Sequence, residues 1–477
     1  MLTFSKAFRI NKSQSELDFV DIPLNNDIPL FIDPYALSQR PDVWSLSCHE
    51  LIKYFFQLII ESIRAGNLDK ARELLLHFKE PNETRFGLSR NRPQGAGIGR
   101  FQAEQLYAAI SESSAVKTGF LSSLEECELM IEGISRDKIS DLTTNVLRKK
   151  LGEYTVEQCK LYNVQLHQVS LAPYFSADEN AWVSEYYNLP IYKNKPVLLV
   201  PKFIARYSLD YDSSDYYNNY VLNYLQVENL SGGSSLVRTL KNGKKVVYKK
   251  DLKAIYPFSK EFLFEFSKSN PEVLAKYRAE LSALEKEHRE IMEGSEEEAV
   301  LADSLLIALE NIPPGAEYAT SYHNLMIGIL EFIFYPYLIY PRKEKEIHEG
   351  RKRIDIVMEN GAKLGIFRRL HEIRKIHCPF ISIECKNYKT EVANPEIDQL
   401  SGRFSRDRGI VGFMCCRSFE NENLFLKRCI DTFKDGRGLI IHLHDSRISD
   451  LLLLIRENKR EQLEVMLTKL FDAVHFS

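Results

Sequence analysis

Apolar residues recur at helical spacing from Leu51 to Ala65, from Leu68 to Phe78 and, after a glycine-rich stretch, from Phe101 to Ile110. The first ~150 residues therefore read as mainly helical. From about Ala172 to Tyr256 strand formers are more frequent. There Pro196-Val-Leu-Leu-Val reads as a buried strand and Ser231-Gly-Gly-Ser-Ser as a loop. Between Pro271 and Asn311 the pattern is helical and strongly charged, as expected of a solvated connecting helix or helical pair. Pro313-Pro314-Gly315 marks a boundary, because two prolines stop any helix entering them. Beyond it helix and strand alternate. Helices are expected at Tyr318–Phe334, Phe367–Lys375, Pro395–Ser405 and Asn421–Phe433. Strands are expected at Leu338–Lys343, Arg351–Met358, Phe380–Asn387, Gly409–Cys415 and Gly438–His444, and two helices close the chain. This order implies an α/β domain with a mixed central sheet flanked by helices, behind a larger, mainly helical α+β N-terminal region.

Three units follow: an N-terminal region 1–270, divisible near 165, a charged connector 271–312, and a C-terminal domain 313–477. A chain of 477 residues is too long for one ordinary core. With 44% hydrophobic and 27% charged residues, disorder is excluded as the general state. The net charge of −3 announces no nucleic-acid binder, but local patches matter more than the sum. From Gly315 onward 26 basic side chains face 23 acidic ones, a slight local excess of positive charge. The eight cysteines form no Cys-x-x-Cys pair and no zinc spacing, which points to a reducing, cytoplasmic setting. Leu325 to Tyr340 is apolar but shorter than the ~20 residues of a membrane span, and it contains Glu331 and Pro336. No membrane partner is expected.

The chemistry concentrates in Pro379-Phe-Ile-Ser-Ile-Glu-Cys-Lys-Asn-Tyr388. On a strand alternate side chains share a face, so Glu384 and Lys386 point one way while Ile381, Ile383 and Cys385 point into an apolar layer. A second carboxylate is offered by Asp355, set between Ile354 and Ile356 in Arg351-Lys-Arg-Ile-Asp-Ile-Val357. If the two strands are neighbours, Asp355 and Glu384 converge. Two carboxylates with a bound phosphate suit Mg²⁺, and the adjacent lysine can orient a water or offset developing charge.

Asp355 followed by Glu384-Cys385-Lys386 resembles the signature of the PD-(D/E)XK, or restriction-endonuclease-like, nuclease superfamily, over Gly315 to Ser477. Gln399, in Asp398-Gln-Leu-Ser-Gly-Arg403, matches the glutamine of Mrr-like members. The resemblance implies Asp355, Glu384 and the Cys385 carbonyl as metal ligands, Lys386 as catalytic, and Gln399 in support of the site. Glu331, alone in its apolar run, stands where some families place an additional acidic ligand. The pattern departs in two places: Ile354 replaces the usual proline, and the long gap from Asp355 to Glu384 requires a helix between the strands. The implied activity is Mg²⁺-dependent endonucleolytic cleavage of DNA, with Mn²⁺ able to substitute, in the setting of restriction or anti-phage defence. Cutting both strands of a duplex favours a homodimer or larger assembly. The N-terminal region would then sense a partner protein or small-molecule signal, or restrain the nuclease. The competing readings are a structure-specific repair or recombination nuclease and an inactive nucleic-acid-binding scaffold.

Other features have simpler readings. Arg351-Lys-Arg353 could meet phosphates but suits solvated surface. Gln399 and Arg403 could form one polar helix face. Gly95-Ala-Gly-Ile-Gly99 lacks the Gly-Lys-Ser/Thr end of a phosphate loop and reads as a structural turn. Asp33, Glu80, Glu83, Asp137 and Asp141 suit caps and turns singly, or a second acidic site together. His442 and His444 share a strand face and could hold a metal, but the sequence shows no third ligand nearby. With His371 and His377 they read as ordinary core or polar histidines.

Overall fold

The computed structural model describes residues 2–78, 80–87, 107–117, 124, 126–206, 211–292, 296–347 and 352–477. The glycine run 95–99 and Arg351 lie outside them.

Two hydrophobic cores organise the chain. The first gathers Phe4 to Leu281 together with Ile339 and Tyr340; the second gathers Leu161 and Ala302 to Val474. In the first core the long helix α1 (Val43–Arg64) begins earlier than its apolar spacing suggests, because Asp42 caps it by accepting from the Ser45 N–H. Helices α2 (Leu68–Leu76), α3 (Arg136–Val146) and α4 (Arg148–Leu161) pack with it. The stretch expected to be rich in strands contains only short two-stranded pairs, with helices such as Leu222–Ser231 among them. Val197 to Val200 is buried as expected, but it joins no sheet. Its backbone groups meet scattered partners instead: Leu198 N–H donates to the Glu83 carbonyl, Leu199 N–H to Thr155 Oγ1, and the Val200 carbonyl accepts from Val20. Burial fixed the residue types there, and tertiary contacts satisfied the backbone.

The charged connector is a helical pair, but its two members belong to different cores. Helix α5 (Pro271–Met292) buries Val273, Leu274, Tyr277 and Leu281 in the first. Helix α6 (Glu296–Asn311) buries Ala302, Leu305 and Leu309 in the second.

The C-terminal unit follows its expected order closely. Helix α7 (Ala319–Phe334) leads into strands β1 (Leu338–Ile347), β2 (Lys352–Asn360) and β3 (Phe380–Lys386). A short helical segment, Gly365–Arg368 with one wider turn to Ile373, separates β2 from β3. Helix α8 (Asn394–Ser401), strand β4 (Val411–Cys416), helix α9 (Glu422–Lys434), strand β5 (Leu439–His444) and helices α10 (Asp445–Arg456) and α11 (Arg460–His475) complete it. The sheet runs β1-β2-β3-β4-β5, with β1, β2 and β3 antiparallel and β3, β4 and β5 parallel. The strand-rich half is thus a mixed sheet between helical layers. Among the described residues no helix is long and apolar enough to cross a membrane.

The cores meet where β1 is irregular. Its pairing with β2 shifts between Ile339 and Arg342, and Tyr340 takes a left-handed backbone (φ 52°) that a bulky residue rarely adopts. The Tyr340 N–H is held by Asp18 Oδ1 at 3.0 Å, and the Pro341 carbonyl by Gln158 Nε2 at 3.2 Å. Both anchoring side chains come from the N-terminal region.

Candidate active site

Strand β3 is apolar where it faces helix α7 and the closing helices. Ile381 and Ile383 are fully buried there, and the Cys385 thiol meets Cys415 on the neighbouring strand. The opposite face presents Glu384 and Lys386. Antiparallel pairing of Ile356 with Ile383 sets Asp355 beside Glu384, and Asp355 Oδ2 accepts the Cys385 N–H at 3.0 Å. Sequence periodicity placed Glu384 and Lys386 on one face and set Asp355 opposite Ile354 and Ile356 on its own strand; the register brings the carboxylates together.

Glu384 is fully buried and Asp355 partly so. Lys386 Nζ lies 2.6 Å from Glu384 Oε1, and Gln399 Nε2 donates to the same oxygen from helix α8. Glu384 Oε2 is buried and has no hydrogen-bond partner among the described residues. Burial, then the charge of Asp355, raises the Glu384 carboxyl above its ordinary value, against the pull of Lys386 and Arg403. Burial alone would lower Lys386, but Glu384 and Asp355 outweigh it and hold the ammonium above its usual range. Helix α8 ends at Ser401 with Gly402 as its cap, so Arg403 lies just past the helix rather than on its face. The Asn387 side chain donates to the carbonyls of Pro313 (3.0 Å) and Gly315 (2.8 Å), pinning the proline boundary to the end of the strand.

Glu331 does not join this group. Gly315 N–H donates to the Asn387 carbonyl, so α7 starts at the Lys386 end of β3. Glu331 lies twelve residues past Ala319, about 18 Å along a helix rising ~1.5 Å per residue, at the far end of the sheet. There it is fully buried and pairs with Lys202 Nζ at 2.9 Å, a lysine of the N-terminal region. The expectation of Glu331 as an additional metal ligand is corrected on this geometry. Around the pair, Tyr154 Oη donates to Asp18 Oδ2 at 2.7 Å, and Lys202 Nζ sits 3.9 Å from the Tyr335 ring centre. Burial raises the Glu331 and Asp18 carboxyls, and Lys202 pulls both back. Nearby, Glu359 accepts the Trp44 N–H (2.9 Å) and pairs with Arg342 (3.0 Å). Burial lifts Glu359 to about 7 despite Arg342.

The remaining candidates divide. His371 Nδ1 accepts the Cys378 N–H at 3.0 Å and its ring meets His377, a structural arrangement. His442 and His444 acquire the third residue that the sequence did not reveal: Glu422, from the first turn of α9, lies within 4.8 Å of both by their ligand atoms. Asp33 caps its helix through Tyr35 N–H, and Glu83 lies 3.6 Å from Arg148. Glu80, Asp137 and Asp141 do gather. Burial first, then the other two carboxylates, raises Asp141 to about 8. All eight cysteines are free thiols. Side chains of Lys352 and Arg353 lie outside the described residues.

Comparison with known proteins touches only the other half of the chain. A family model described as a domain of unknown function, DUF8370, matches residues 9–212. No curated protein and no solved structure matches the chain. The matched stretch contains Asp18, Lys202 and Asp141 and ends before the connector, so it leaves the β2–β3 site uncharacterised.

Proposed function

We propose that residues 313–477 form a Mg²⁺-dependent phosphodiesterase that cleaves DNA endonucleolytically, with the N-terminal region controlling its activity or target. One observation carries the reading: Asp355, Glu384, Lys386 and Gln399, from three separate elements, converge on one face of a mixed sheet. The mixed sheet flanked by helices supports it, since that is the fold the motif's resemblance implies.

The donor set fits a hard cation. Asp355 keeps an oxygen beyond the one given to Cys385, and the orphaned Glu384 Oε2 is a buried acceptor awaiting a positive charge. Asp355, Glu384 and the Cys385 carbonyl would hold Mg²⁺, which would polarise the phosphate and lower the pKa of a bound water. Lys386, fixed by Glu384, keeps its proton and presents a positive charge to the developing phosphorane. Gln399 holds the Glu384 carboxylate in orientation by donating to one oxygen and leaving the other free. The apolar layer of Ile381 and Ile383 keeps the strand from shifting as charge builds.

Control by the N-terminal region rests on its grip of the same unit at the opposite end, through Asp18 on Tyr340 and Trp44 on Glu359 of the sheet and Lys202 on Glu331 of helix α7. A partner protein or small molecule bound there could reach the site through β2, which carries both Glu359 and Asp355. A dimer or larger assembly would supply the second site for a double-strand cut.

The test is cleavage of supercoiled plasmid, linear duplex and forked DNA by the full chain with Mg²⁺ or Mn²⁺, against EDTA. Metal-dependent cutting that falls at least ~100-fold in both Glu384→Ala and Lys386→Ala is the expected result. Cutting unchanged in Lys386→Ala would place the chemistry elsewhere. DNA binding without cutting of any substrate would favour a scaffold.

A further inference from the structure

The β3–β4–β5 register aligns Glu384 with Met414 and His442, and Lys386 with Cys416 and His444. Residues paired in parallel strands share a face, so both histidines stand on the same side of the sheet as the candidate active site. Two strand spacings separate the sites, about 10 Å. We propose that His442, His444 and Glu422 form a second cation site, for a transition metal of the Zn²⁺ class, on the edge strand.

Three observations support it. The three side chains converge from two elements, with ligand atoms within 4.8 Å of one another and His442 Nε2 3.0 Å from Glu422 Oε1. The Nδ1 atoms of both histidines are buried and have no hydrogen-bond partner among the described residues. Finally, the rings are held in place before any ion arrives. Phe419 packs edge-on against both, Phe425 packs against His442, and the two imidazoles lie nearly parallel, with centres 6.1 Å apart.

Two neutral imidazoles and one carboxylate are the donors that borderline-soft ions prefer, whereas the all-oxygen pair Asp355 and Glu384 suits Mg²⁺. Three protein ligands leave a fourth position for water. Arg447 competes for the site: it donates to Glu422 and contacts His442 at 3.1 Å. Its guanidinium occupies the charge position that a cation would take. Glu422 is 40% exposed and Arg447 18%, so the arginine can swing to solvent when an ion displaces it. The bound ion would fasten α9 to the free edge of the sheet. This site stands independently of the nuclease reading.

The experiment titrates metal-free full-length protein with Zn²⁺ by calorimetry and with Co²⁺ by visible absorption. One ion per chain is expected at this site, with d–d bands reporting nitrogen ligation. His444→Ala and Glu422→Gln should weaken it at least ~10-fold, and Glu384→Ala should leave it unchanged. Arg447→Met retains every ligand and removes the competing cation; it should tighten binding about 10-fold. The proposal is overturned if wild-type protein shows no stoichiometric nitrogen-ligated ion, if binding survives His444→Ala, or if Arg447→Met weakens it. Circular dichroism of each variant separates a lost ligand from a lost fold.

Discussion

Two buried glutamates of the C-terminal unit invite comparison. Glu384 and Glu331 are both fully inaccessible, both are raised by burial, and each has a lysine nitrogen within 3 Å (2.6 and 2.9 Å). Their settings differ in kind. The lysine of Glu384 is two residues along the same strand, and its neighbours Asp355, Lys386 and Gln399 remain partly open to solvent. The lysine of Glu331 arrives from a segment more than a hundred residues earlier, so that the pair joins the two cores beside Asp18 and Tyr154. Two carboxylates from neighbouring strands, joined on one face by a lysine and a glutamine, fit the proposed cation site. A pair whose base comes from the other core is arranged to hold the cores in register, and its cost in desolvation is repaid only while both partners stay.

The most severe break of the Lys202–Glu331 pair is Lys202→Met, which leaves Glu331 buried among acids. A loss of about 3–5 kcal/mol of unfolding free energy is expected from urea denaturation, because an uncompensated internal charge remains. A loss below about 1 kcal/mol would show that the pair is incidental. Glu384→Ala is the converse probe: under the proposed nuclease reading it should abolish cleavage while costing less unfolding free energy than Lys202→Met, since it removes a carboxylate that burial and Asp355 already disfavour. Equal destabilisation by both variants would erase the contrast.

A smaller effect should come from pH. Glu359, raised from 4.5 to about 7, binds a proton in the folded chain that the unfolded chain has already released. Its stabilising contribution is complete below pH ~4.5 and is lost as pH rises through about 7. Urea midpoints should therefore decline over that window, with Glu331 and Asp18, also raised, adding in the same sense. Glu359→Gln, which keeps the shape and cannot ionise, should flatten the decline; a slope unchanged in this variant would assign the pH response to other groups.

How far each part could be read from residues alone follows from contact range. The alternation through Phe380 to Lys386 and the Ile354-Asp-Ile356 pattern report local backbone geometry, so the strand faces of Asp355, Glu384 and Lys386 were readable without a fold. So was the helix–strand order of the C-terminal unit, since each element there has its own apolar period and caps. Gln399 was readable only through a family resemblance, because nothing in its own helix distinguishes it from a surface residue.

Other features were beyond the reach of periodicity. Val197 to Val200 looks like a strand because burial selects the same residues whether or not a neighbour supplies a ladder. A buried carboxylate such as Glu331 signals only that some base must meet it; that the base is Lys202, across the boundary between cores, depends on how those cores dock. Glu422 completes the histidine pair only because α9 folds back onto β5. The sequence by itself thus determined which face of each strand these side chains occupy, since that depends on neighbours within one turn or one pleat. Tertiary structure alone decided which of them meet, because strand register, helix docking and the joining of two cores are set by contacts between residues far apart in the chain.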